Sequence, residues 1–61
     1  MDFIEDWWRH NGCWDREQAS GISYKKNKIS VEDYLDITDA WWMGLSKNEK
    51  IAIYDDFFNP I

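Results

Sequence analysis

The chain has 61 residues, a net charge of −5 and a 44% apolar composition that includes five tryptophans. One cysteine and one histidine exclude an intramolecular disulfide and leave too few ligands for a Cys/His zinc site. A domain this short hides only about 60% of the surface its unfolded chain exposes, so self-association is the expected source of further burial.

The charge is unevenly spread. Residues 1 to 20 hold five acids against Arg9 and Arg16, and residues 30 to 61 hold seven against Lys47 and Lys50. Lys25, Lys26 and Lys28 lie between them with no acid nearby in sequence. Nucleic-acid binders need a basic footprint to neutralise phosphates. One lysine-rich loop between acidic flanks is a poor one, so no direct nucleic-acid binding is expected. No segment approaches the ~20 apolar residues of a membrane span, and the first ten residues carry acid rather than a signal-type apolar run. These features predict one small cytoplasmic helical domain over residues 1–61, without membrane contact.

In chain order, Asp2 and Glu5 have the spacing of a capping box. Phe3, Ile4, Trp7 and Trp8 share one helical face, and Gly12 fits the left-handed position that ends many helices. A helix is predicted over residues 2–11. Residues 13–29 carry weaker signals. Asp15 and Gln18 open a brief helical turn closed by Gly21, and the lysine tract reads as a loop or a small hairpin. Ser30 with Asp33 then starts a long helix whose face is Val31, Tyr34, Leu35, Thr38, Trp41, Trp42 and Leu45. Gly44 ends it. Ser46 and Glu49 form a second capping box, and Ile51, Tyr54, Phe57 and Phe58 make the apolar face of a last helix, with Ile53 at its edge. Asn59 and Pro60 stop it. No internal repeat is read. The predicted fold class is all-α: a compact bundle of about three short helices with an irregular insert at 13–29.

The tryptophan doublets are the first candidate sites. Adjacent helical residues point about 100° apart, so Trp7 with Trp8, and Trp41 with Trp42, spread apolar surface over wide arcs. Core packing accounts for part of that surface. The rest is expected to anchor a protein partner, a role in which tryptophan is enriched, and one or both doublets are expected in the interface of a homodimer. Trp8 and Trp42 are the expected exposed members. Asp33, Asp36 and Asp39 recur three apart on one helix, as a solvated face or as a line of charge toward a basic protein surface such as a nucleic-acid groove. Asp55 and Asp56 could extend it. The lysine tract is read as a solvated loop, or as a match for the acidic helices of a second copy. His10 and Cys13 lack a third orienting group, so no catalytic site is predicted. No phosphate loop or metal spacing occurs, and no cofactor is expected.

Residues 41 to 57 contain the pattern W-x-x-L-S-x-x-E-K-x-x-I-Y, from Trp42 to Tyr54. The segment resembles short proteins of phages and mobile elements and covers about a quarter of the chain. The resemblance implies an accessory factor of the anti-defence inhibitor type, a compact dimer that binds and blocks a host protein in the host cytoplasm. It implies no particular binding residue. The alternative is a non-inhibitory adaptor subunit of a larger complex.

Overall fold

The computed structural model describes residues 2–59. Among them are five helices and no strand: α1 (Phe3–His10), α2 (Cys13–Ser20), α3 (Tyr24–Asn27), α4 (Val31–Met43) and α5 (Lys47–Phe58). The fold is all-α, with more helices than the sequence suggested. Helix α2 packs on α4, and α1 packs on α5.

Local chemistry sets the helix ends. Asp2 accepts a hydrogen bond from the Ile4 amide at 3.0 Å, and Ser30 accepts one from the Asp33 amide at 3.1 Å. At α5 the box is reciprocal. Ser46 accepts from the Glu49 amide at 3.2 Å, and Glu49 accepts from the Ser46 amide at 2.9 Å. The expected box at α1 is only half formed, because the Glu5 carboxylate is engaged elsewhere in the molecule. Asn11, not Gly12, ends α1, its amide donating to the Trp8 carbonyl at 3.1 Å. Gly12 is extended and precedes α2. Asn59 closes α5 through its amide to Asp55 at 2.7 Å; Pro60, the other half of the expected stop, lies outside the described residues.

The insert at 13–29 is ordered by helices, with no hairpin. Gly21 ends α2 at φ 77°, a left-handed conformation that glycine adopts without a Cβ clash. The Glu17 side chain then accepts from the Tyr24 amide at 2.9 Å, and Ser20 Oγ accepts from the Ile22 amide at 3.1 Å. Tyr34 Oη donates to the Ile22 carbonyl at 2.6 Å, fastening this segment to α4. Burial pushes the Tyr34 phenol above its ordinary value of 10.0.

Trp8, Tyr34 and Trp42 form the fully buried apolar core, joined by Thr38, Arg16 and Asn11. Most of the expected α4 face is correct: Tyr34, Thr38 and Trp42 are buried, and Leu35 and Trp41 half-buried. Val31 is exposed. On α5 the inward side is Ile53, Tyr54 and Phe57, whereas Ile51 and Phe58, expected inside, are exposed.

Candidate functional site

Two stacked indoles stand at the centre of the molecule. Trp8 of α1 and Trp42 of α4 lie with ring centroids 4.5 Å apart and an interplanar angle of 4°. Each ring also carries a cation. The Arg16 guanidinium sits 4.8 Å from the Trp8 centroid, and Lys50 Nζ sits 5.3 Å from that of Trp42. With the inner faces taken by each other, the rings meet their cations from outside. The result is a four-layer order: Arg16, Trp8, Trp42, Lys50. Cation–π contacts of this kind contribute about 0.5–2 kcal/mol each, most when desolvated.

The indole N–H groups are satisfied in a crossed pattern. Trp8 Nε1 donates to Asp39 Oδ1 at 3.0 Å, and Trp42 Nε1 donates to Glu5 Oε2 at 2.9 Å. The same carboxylates hold the cations: Arg16 to Asp39 at 2.6 Å, Lys50 to Glu5 at 2.6 Å. Lys50 and Trp42 together hold the Glu5 carboxyl below its ordinary value of 4.5. Each acid precedes its own helix's buried tryptophan by three residues and serves the tryptophan of the other helix. The two halves are therefore one short motif used twice, acid-x-Trp-Trp, at residues 5–8 and 39–42. This corrects the reading of no internal repeat. The crossed pairs, 5 with 42 and 8 with 39, require α1 and α4 to pass in opposite directions.

Arg16 is the hub of hydrogen bonds among the described residues. Besides Asp39, its guanidinium donates to the carbonyls of Asn11 at 2.8 Å, Leu35 at 3.1 Å and Trp8 at 3.3 Å, and to Thr38 Oγ1 at 3.0 Å. It is 3% exposed. A planar fork with five N–H groups can reach acceptors on three sides at once, which an ammonium cannot. That explains why an arginine holds the junction of α1, α2 and α4.

This arrangement corrects the expected exposure of two site residues. Trp8 and Trp42, the members of each doublet expected outside, are 3% and 2% exposed. The wide arc of a doublet is shared between two neighbours here. Trp8 turns to α4 and α2, while half-buried Trp7 turns to α5, edge-on to Tyr54 at 5.2 Å and Phe57 at 5.3 Å. Trp41 is half-buried beside Trp8 at 5.8 Å. The acidic line is also shortened. Asp33 and Asp36 are exposed, but Asp39 is spent on Arg16 and Trp8 and does not continue the line.

The surface carries what the core does not use. Trp14 on α2 is 72% exposed and Met43 at the end of α4 is 77% exposed. Trp14 was not singled out from sequence, because a lone tryptophan in a weakly patterned segment gives no periodic signal. His10 Nδ1 lies 2.8 Å from its own helix's Asp6 carbonyl, and Cys13 is a half-buried free thiol. Among the described residues no group of three His, Cys, Asp or Glu side chains could hold a metal ion. No helix there is long and apolar enough to cross a membrane. Compared with known protein families, with curated proteins and with solved structures, the chain matches none.

Proposed function

We propose that this chain is a small acidic protein–protein interaction module, and that it works as a phage-type inhibitor that binds and blocks a bacterial defence or nucleic-acid-processing protein. The exposed indole of Trp14 carries the reading. Four tryptophans pack against one another around Arg16 and Lys50, and the fifth is left in water, where its apolar area would cost least if a partner covered it. Exposed Asp33 and Asp36 on α4, with Asp55 and Asp56 on α5, supply negative charge toward a basic partner surface. Half-buried Trp7 and Trp41 serve as framework rather than as anchors. The protein would act as a homodimer in the host cytoplasm, with neither catalysis nor direct nucleic-acid binding.

The test is co-purification of the tagged chain from a bacterial host, followed by activity titration of the captured enzyme. Loss of activity at near-stoichiometric amounts, relieved by Trp14→Ser and weakened by Asp33→Lys with Asp36→Lys, supports the reading. Capture that leaves the partner fully active favours the adaptor reading instead. Unchanged capture by both variants defeats the assigned surface.

A further inference from the structure

Helix α5 is apolar on two sides; its own protomer covers one, and covers the other only in part, through Trp7 at 5.2 Å from Tyr54 and 5.8 Å from Phe58. Lys50, Ile53 and Phe57 are half-buried against the rest of the chain, with Phe57 5.3 Å from Trp7. At 100° per residue, Lys47, Ile51, Tyr54 and Phe58 fall on a second stripe about a quarter-turn away. Their i, i+4, i+7, i+11 spacing is that of a seam between two helices. Ile51 is 43% and Phe58 51% exposed, and Tyr54 is half-buried. Phe3 widens the stripe from α1, edge-on to Tyr54 at 5.7 Å. No residue of α5 is fully buried. A twelve-residue helix is marginal without tertiary packing, so this one stands to gain from a second neighbour.

Charge indicates the neighbour. Exposed Lys47 lies near the N-terminus of α5 and exposed Asp55 near its C-terminus, whereas Lys50 is spent on Glu5 and the Glu49 carboxylate accepts from the Ser46 amide. Laid antiparallel on a copy of itself, the helix sets plus against minus at both ends, and the helix dipoles also oppose. A two-fold axis makes each such contact twice. Exposed α4, by contrast, offers Glu32, Asp33 and Asp36 without a base, so identical copies repel there. We propose that a second copy of this chain docks on α5, helix against helix in opposite directions. Ile51 then meets Tyr54 of the second copy, and Lys47 lies opposite its Phe58, about one helical turn from its Asp55. This rests on the homodimer part of the reading above and assigns its interface. A seam one helix long covers less than the roughly 800 Å² per partner of a standard interface, so weak association that depends on concentration is expected.

Sedimentation equilibrium of the full chain across a concentration series up to about 500 μM tests this. The expected mass is twice 7.4 kDa at the upper end. Ile51→Lys, at an exposed helical position, should return it to one copy with the helical dichroism intact. Lys47→Asp and Asp55→Lys should each weaken association about tenfold, and the double variant should restore it. The charge variants keep the test valid if Ile51→Lys does not fold, since both side chains point into water. A wild-type chain that stays at 7.4 kDa defeats both the dimer and this interface. A dimer that survives Ile51→Lys, or charge variants that the double change does not rescue, defeats the interface alone.

Discussion

Replacing Arg16 by alanine should bring this protein close to unfolding. The guanidinium donates to three carbonyl oxygens, the Thr38 hydroxyl and the Asp39 carboxylate, and it covers the Trp8 ring. Hydrogen bonds to a charged group contribute about 1.5–3 kcal/mol each, though not additively. The Asp39 side chain is 47% exposed, so water can replace the guanidinium there and that share must be discounted. The Asn11 carbonyl and Thr38 are buried, and they lose a donor that water does not readily replace. The expected loss is about 3–5 kcal/mol, the scale of removing two or three hydrogen bonds from a buried charged group. A chain of 61 residues has a total of only about 3–9 kcal/mol, at about 0.05–0.15 kcal/mol per residue. Urea unfolding followed by far-ultraviolet circular dichroism measures the difference. Arg16→Lys keeps the charge but loses the fork, and should cost about 2 kcal/mol. An Arg16→Ala variant within about 1 kcal/mol of wild type would refute the claim that this side chain holds three helices together.

Three further outcomes follow from the same geometry. Glu5 has its folded pKa lowered, chiefly by Lys50 and then by Trp42, so its contribution is present above the ordinary value of 4.5 and is lost as pH falls through the folded value. Acid titration should therefore show stability declining below that ordinary value, with a shallower decline in Glu5→Gln; equal slopes would contradict the assignment. Ser46→Ala removes one arm of the α5 capping box and should cost about 1 kcal/mol, read as a shift of several degrees in the thermal midpoint. Trp42→Phe keeps a ring against Trp8 but leaves Glu5 without its indole donor, and should cost about 2–3 kcal/mol in the same urea assay; a neutral effect would mean the crossed hydrogen bond contributes nothing.

The helix starts were legible because caps are local. Ser30 and Ser46 act on amides three residues away, so sequence spacing alone finds them. The α4 face was legible too, since one neighbour face collects Tyr34, Thr38 and Trp42 at helical period. The α5 face was not. Its apolar residues belong to two stripes, and its own protomer takes part of each, Ile53 and Phe57 from one and Tyr54 from the other, which no single periodicity describes. The segment 13–29 was obscure because α2 is held by a buried arginine, and a charged residue reads from sequence as surface. The tryptophan doublets misled for a related reason. Assigning one member inward and one outward assumes a single neighbour, whereas α1 lies between α4 and α5 and uses both. The repeated acid-x-Trp-Trp was available in the sequence. Its meaning was not, since each acid serves the tryptophan of the other repeat.

Separating one indole from the other four gives the molecule two independent optical reporters. Trp14, in water, should emit at long wavelength and be open to a neutral quencher such as acrylamide. The packed set should emit to the blue and resist quenching until the chain unfolds. Docking of a partner over α2 would then protect the red component alone. Denaturation would expose the blue one, so a single emission spectrum could tell occupancy from unfolding.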